Sequence, residues 1–72
     1  MNWQAVTYEV TVFNQAVRDA MKEGERHLFF KDDWADIHWI EMRAYTPGAA
    51  RKKIEDRYPS FRCYVITDIQ VA

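Results

Sequence analysis

Within residues 37–71, a segment with the features of a proline-initiated helix lies between two segments in which apolar and polar residues alternate. This arrangement constrains the fold more than any other part of the sequence. Thr46 offers a side-chain oxygen to the first free N–H groups, and Pro47 follows at the first helical position, where a missing N–H is tolerated. Apolar residues recur every three or four positions up to Tyr58, and Pro59 disfavours helical geometry at the residue before it. The sequence therefore predicts a capped, amphipathic helix between two strands.

The segments on either side of this helix alternate with a period of two, which is the pattern of half-buried strands. The more aliphatic face of the first segment consists of Ile40, Met42 and Ala44. The more aliphatic face of the second consists of Phe61, Cys63, Val65, Ile69 and Val71. We expect both faces to meet the helix, so that Cys63 is a buried small hydrophobic residue.

A third alternating segment, residues 5–13, is predicted to be the first strand. Asn14 follows it as a good helix N-cap, and a short apolar stripe with helical spacing comes next. Gly24 stands where a helix end favours positive φ, so a short first helix is predicted between these two residues. Trp3 is expected to pack over a sheet edge.

The strand count depends on residues 27–31, H-L-F-F-K, which have the composition of a short strand before an acidic turn. If they form a strand, the order is β-α-β-β-α-β, that of a small ferredoxin-like sandwich. If they form a loop, the order is β-α-β-α-β on three strands. We predict the ferredoxin-like order, an α+β fold with both helices on one face of an antiparallel sheet.

Length and charge limit the kinds of protein this can be. Residues 1–72 form a single domain with a small margin of stability. No apolar run approaches the roughly 20 residues that cross a bilayer, and no signal peptide is recognisable, so no membrane partner is expected. The single cysteine excludes an internal disulfide, and the net charge of -1 lacks a basic signature, so a cytoplasmic protein is predicted.

The sequence offers little for catalysis. His27 and His38 are the only imidazoles, and no paired-histidine or paired-cysteine spacing accompanies the nearby aspartates. Gly24 and Gly48 are the only glycines, which leaves no phosphate-cradling loop. No catalytic residue, metal or cofactor is therefore expected.

Binding is better supported, because a sheet with both helices on one side leaves its other side open. The candidate residues on this open side are Trp39, Arg43, Tyr45, Arg62 and Tyr64. They could stack RNA bases, stabilise neighbouring strands, or be covered by another protein or a second copy of the chain. We favour a protein partner over direct nucleic-acid binding, because Glu9 and Glu41 share this side and the glycine-flanked aromatic motif of RNA-recognition sheets is missing.

A second candidate surface is a tryptophan among carboxylates, which would suit a basic, nucleic-acid-handling partner. It comprises Trp34, Asp32, Asp33 and Asp36. The alternative is a capped turn with the tryptophan folded onto the core.

The segment I-E-M-R-A-Y-T-P-G-A-A-R-K-K-I followed by Y-V-I-T-D-I resembles the strand-helix-strand half of very small phage and mobile-element proteins. Some anti-CRISPR proteins are among them, as are some ribosomal and housekeeping domains. The resemblance covers less than half of the chain. It implies a stand-alone inhibitor or adaptor that docks on a protein or nucleoprotein complex. For an anti-CRISPR-like protein, that complex would be a guide-RNA effector and the blocked event its recognition of DNA. The alternative is an RNA- or single-strand-binding module that uses the sheet aromatics.

Overall fold

The computed structural model describes residues 4–72, so the expectation for Trp3 lies outside the described residues. Its strands are β1 (Val6–Asn14), β2 (His38–Ala44) and β3 (Tyr64–Val71), and its helices are α1 (Gln15–Lys22) and α2 (Pro47–Arg57). Short 3₁₀ turns occupy Asp32–Ala35 and Ser60–Arg62. Strand β1 lies in the centre of the sheet and is antiparallel to both neighbours. The predicted α+β class is confirmed.

Residues 27–31 bend instead of forming the fourth strand of the ferredoxin-like order. Nδ1 of His27 accepts hydrogen bonds from the backbone N–H groups of Phe29 (3.1 Å) and Phe30 (3.3 Å). These local bonds curl the backbone, so its N–H groups are not aligned for pairing with a strand. The described chain therefore has the three-stranded β-α-β-α-β order, and the ferredoxin-like order is not confirmed.

Helix α2 forms as its sequence predicts. Thr46 Oγ1 accepts a hydrogen bond from the Ala49 N–H (3.1 Å), and Pro47 occupies the first turn. Ala50 and Ile54 are fully buried against the sheet. The buried core between α2 and the sheet consists of Tyr8, Val10, Val12, Ala44, Ala50 and Ile54.

Helix α1 is also capped as predicted, but its position differs from the prediction. Asn14 is fully buried; its Oδ1 accepts from the Val17 N–H (3.2 Å) and its Nδ2 donates to the Arg62 carbonyl (3.0 Å). The helix packs mainly against the turn Asp32–Ala35, and the Arg18 guanidinium donates to the Ala35 carbonyl at 2.8 and 3.0 Å. Only α2 packs against all three strands, so the expected pair of helices on one face is not confirmed. The chain is elongated, with a longest extent of 53 Å.

Strand β3 does not alternate without interruption. Ile66 pairs with Val12, but Asp68 pairs with Thr11, so Thr67 is an extra residue in the strand. Such a β-bulge leaves two residues opposite one. Because side chains alternate with a period of two, one extra residue reverses the face on which all later side chains lie.

The bulge changes which β3 residues face α2. Tyr64 and Ile66 lie on the same side as Ile69, and all three pack against the core under α2. The predicted position of Tyr64 on the open side is therefore wrong, as is the predicted position of Val65 on the side that meets α2. The prediction continued the alternation seen at Ile69 and Val71 back to Tyr64 without allowing for the extra residue at Thr67.

The residues just before β3 differ from the prediction in a second way. Phe61 and Arg62 lie in the turn Ser60–Arg62 instead of in the sheet. Cys63 ends this turn in the left-handed region (φ 70°) and is exposed, so its predicted burial is wrong. Cys63 lies where the turn joins β3, and the Phe61 side chain within the turn is exposed.

Candidate functional site

The side of the sheet opposite α2 is covered at Phe13, which is 7% exposed and lies under the Arg18 guanidinium (3.7 Å to the ring centroid). The rest of this side is uncovered in the described part of the chain, and we call it the open face. The register of β1 and β2 places Thr7 opposite Arg43, Glu9 opposite Glu41, and Thr11 opposite Trp39. This confirms the predicted faces of these two strands. The open face consists of Thr7, Glu9, Thr11, Trp39, Glu41, Arg43, Asp68 and Gln70.

A groove of about 440 Å³ crosses the open face over the central strand. Trp39 and Ile37 line it from the β2 side, and Trp39 is 66% exposed. Glu9 and Thr11 line it from the central strand, and Asp68 lies on the β3 side. The groove therefore combines an exposed indole with two carboxylates.

The bulge shapes one wall of this groove. Oγ1 of Thr67 lies 2.6 Å from Oγ1 of Thr11, so the extra residue is tied to the central strand. The Asp68 carboxylate accepts hydrogen bonds from the Ile69 N–H (2.9 Å) and from the Gln70 side-chain amide. These bonds orient the carboxylate within the groove.

The open face is acidic. Glu9, Glu41 and Asp68 carry three negative charges, and Arg43 supplies its one positive charge. Neither of the two ion pairs found within residues 4–72 involves these carboxylates. Their negative charge is therefore available to a partner that binds the open face.

The structure brings together only some of the predicted binding residues. Trp39 and Arg43 lie on the open face, and Tyr45 is exposed just beyond the end of β2. Arg62 is exposed in the turn before β3, and Tyr64 lies half-buried on the covered face.

Sequence reasoning missed the β3 side of the groove, which is formed by Asp68 and Gln70. The signal was the alternation of Asp68 and Gln70 with Ile69 and Val71, which places the two polar residues on the face away from the helix.

The second predicted surface uses its tryptophan structurally. The Trp34 ring stacks on His38 with centroids 4.0 Å apart, and it contacts Tyr58 and Tyr64 at 5.3 and 5.1 Å. This matches the alternative of a turn whose tryptophan is folded onto the core. Burial raises the pKa of Tyr64 above its ordinary value; the neighbouring Tyr58 adds to this and the Arg62 charge opposes it.

The three aspartates of that surface lie around the turn Asp32–Ala35. Asp32 forms an ion pair with Arg26 at 3.6 Å. Asp33 and Asp36 are exposed, and the Asp33 carbonyl lies 3.0 Å from Nε2 of His38. Their role in partner binding stays a prediction.

Two further properties concern the described residues alone. Residues 4–72 contain no group of three or more histidine, cysteine or carboxylate side chains placed to hold a metal ion. None of their helices has the length and apolar character needed to cross a membrane.

Comparison with protein-family models, curated protein sequences and solved structures found no significant match to this chain. What the protein binds must therefore be inferred from the chemistry of its own surfaces.

Proposed function

We propose that this protein is a small non-enzymatic binding protein that docks through its open face on a basic surface of a protein or nucleoprotein complex. The observation that carries the proposal is the exposed Trp39 indole beside the carboxylates of Glu9 and Asp68 in one groove. A lysine or arginine side chain placed there would contact the indole face and receive charge-assisted hydrogen bonds. A sheet surface that only stabilised its own strands would not need three carboxylates without ion-pair partners.

The groove is small, so it would hold one or two side chains of the partner and the rest of the open face would provide the surrounding contacts. Exposed tryptophans at the centre of an interface commonly contribute a large share of the binding free energy. Carboxylates around such an anchor speed association with a basic partner and exclude acidic ones. Trp39 is therefore the anchor of this proposal, and the three carboxylates select the partner.

The resemblance of residues 40–54 and 64–69 to small phage and mobile-element proteins suggests one class of partner for this acidic face. Guide-RNA effector complexes hold nucleic acid in positively charged channels. An acidic face on a small domain would be attracted to such a channel and, once bound there, would exclude DNA from it. We therefore keep an anti-CRISPR-like inhibitor as the specific form of the proposed function.

A nucleic-acid-binding module is the second candidate, because Trp39 is an aromatic side chain exposed on a sheet surface. Two observations weigh against it. Tyr64 lies on the covered face, so the expected pair of stacking rings is not present on the open face. In addition, Glu9, Glu41 and Asp68 would repel phosphates.

A titration followed by NMR tests the general proposal. The probes are a ten-residue peptide of lysine and arginine, a glutamate-rich peptide of the same length, and a single-stranded oligonucleotide. We expect the basic peptide alone to shift the backbone resonances of Glu9, Trp39 and Asp68. Shifts caused by the oligonucleotide instead would favour the second candidate and overturn the first.

Matched variants locate the binding. The double variant Glu9→Gln and Asp68→Asn keeps the shape of both side chains and removes their charge, so the peptide should bind at least about tenfold more weakly. Arg43→Gln changes a charge on the same face without removing a carboxylate, so it should bind the peptide at least as well as the natural chain. Equal loss in both variants would contradict a role for the carboxylates.

The specific form has its own test. A guide-RNA effector complex is mixed with the protein, and binding of its target DNA is measured. Inhibition that is lost in Trp39→Ala and retained in Arg43→Gln would support the proposal. Basic-peptide binding without inhibition of any effector tested would reject the anti-CRISPR form and leave the basic-surface proposal standing.

A further inference from the structure

A second exposed apolar surface lies away from the open face, at the end of the sheet where α1 begins. Leu28, Phe29 and Phe61 are 90%, 87% and 80% exposed. Beside them is a groove of about 560 Å³. The groove is lined by Ala16, His27, Phe29, Phe30, Phe61, Arg62 and Cys63. We call these three side chains and the groove the phenylalanine patch.

The backbone holds the patch in place. The two hydrogen bonds to His27 Nδ1 fix the bend, which turns Phe30 inward onto the Tyr64 ring (5.5 Å between centroids) and leaves Leu28 and Phe29 outside. The turn that carries Phe61 is fixed by bonds to its backbone on both sides, from Arg62 N–H to Pro59 (3.0 Å) and from Asn14 to the Arg62 carbonyl. These side chains are therefore presented to solvent by an ordered framework.

Large apolar side chains exposed in this way favour an interface, because their hydration is unfavourable. We propose that a second copy of this chain covers the phenylalanine patch in a symmetric dimer. Protruding side chains and a groove lie next to each other on the same surface. A two-fold axis through such a surface places the Leu28 and Phe29 side chains of each copy in the groove of the other, and interfaces of this kind are self-complementary.

The available area fits this arrangement. Phe29 and Phe61 together expose roughly 250–400 Å² of side chain, since an aromatic residue offers about 150–250 Å². With Leu28, the patch approaches half of the roughly 800 Å² that each partner buries in a standard interface.

The charges near the patch also suit a second copy. Arg62 lies at the groove, and the loop before Leu28 carries the exposed Glu23 and Glu25 together with Arg26. Both signs of charge are therefore present on one surface, so two copies can place opposite charges across the axis. None of the patch residues belongs to the open face, so a dimer would present two open faces to a partner and raise its avidity.

Solution mass measured by sedimentation across a hundredfold range of concentration tests the proposal. We expect a monomer–dimer equilibrium for the natural chain. Phe29→Asp and Phe61→Asp should each raise the dissociation constant by about tenfold or more, because each would bury a charge in the interface. Both side chains are largely in solvent in the single chain, so the variants should keep the circular dichroism spectrum of the natural protein.

Tyr45→Asp is the matched control, since Tyr45 is an exposed aromatic residue at the opposite end of β2. It should leave the dissociation constant unchanged, as should Trp39→Ala on the open face. A natural chain that stays monomeric at the highest concentration would overturn the proposal. So would a dimer that survives both phenylalanine variants, or one that Trp39→Ala disrupts. Because the variants of the two surfaces differ, failure of the dimer leaves the proposed function of the open face separately testable.

Discussion

Glu9 and Glu41 lie directly opposite each other across β1 and β2, in the middle of the open face. Two like charges in this position disfavour the pairing of the strands that carry them. Neither carboxylate takes part in an ion pair within residues 4–72. A local conflict of this kind on an otherwise consistent sheet is typical of a surface that serves binding at some cost in stability.

We expect Glu41→Gln to raise the free energy of unfolding by about 0.2–1 kcal/mol at low salt, because it removes the repulsion from Glu9. The gain should shrink in high salt, which screens exposed charges. Urea denaturation at two ionic strengths measures both effects. Glu55→Gln is the control, because Glu55 pairs with Arg51 at 3.5 Å and its loss should lower the free energy of unfolding. A loss of stability in Glu41→Gln would contradict the expectation.

Trp34, in the turn before β2, and Trp39, on the open face of β2, should differ in how much stability their truncation to alanine costs. Trp39→Ala removes an exposed side chain and should cost about 1 kcal/mol or less, the usual range for a cross-strand pair. Trp34→Ala opens the cluster with His38, Tyr58 and Tyr64, and we expect a loss of about 2–3 kcal/mol, near the low end for truncation of a large aromatic residue. Thermal and chemical denaturation of both variants gives the comparison. An unfolded Trp39→Ala chain would show that Trp39 is a core residue and would remove the open face as a docking site.

Asn14 joins three parts of the chain, namely the end of β1, the start of α1 and the turn before β3. Asn14→Ala loses a helix cap and leaves the Arg62 carbonyl without that donor, so we expect a loss of about 1–3 kcal/mol. Thr46→Ala removes only a cap at an exposed helix start and should cost about 1 kcal/mol. Denaturant midpoints of the two variants test the difference, and equal losses would mean that the bond to Arg62 contributes little.

Stability should fall in alkaline solution because of Tyr64. Burial, reinforced by Tyr58, raises the pKa of Tyr64 in the folded state above its value in the unfolded chain, which is about 10. The folded state then keeps the Tyr64 proton to a higher pH than the unfolded state does. The stability that this protonated Tyr64 contributes is therefore fully present below about pH 10 and is lost as pH rises through the folded pKa. Tyr64→Phe should flatten the decline measured between pH 9 and 11 relative to the natural chain, and Tyr45→Phe, at an exposed ring, should leave it unchanged. An identical decline in Tyr64→Phe would exclude this source.

Part of the candidate site could be predicted from the sequence. The alternation of β1 and β2 places Glu9, Glu41, Trp39 and Arg43 on one face, and the register confirms it. In β3 the alternation with Ile69 and Val71 places Asp68 and Gln70 on the open face, and the pairing with β1 agrees. The alternation fails before Thr67, because one extra residue reverses it at a point that only pairing with β1 reveals, so the sequence assigns Tyr64 to the wrong face.

The sequence by itself determined the features that depend on neighbouring residues. Thr46, Pro47 and Pro59 are enough to begin and end α2, because capping and proline geometry act within one or two residues. Asn14 likewise caps α1 from its own local sequence. These interactions involve only residues that are close in the sequence.

Only the tertiary structure decided the bend at His27, the position of α1, the phase of β3 and the exposure of Cys63. Residues 27–31 have a composition that suits a strand, yet a strand also needs a partner with unpaired backbone groups in register. Both edge strands of the sheet, β2 and β3, keep one unpaired side, but the hydrogen bonds to His27 Nδ1 bend this segment so that it pairs with neither. Whether a segment reaches a sheet edge in register depends on the whole fold, which local sequence patterns do not contain.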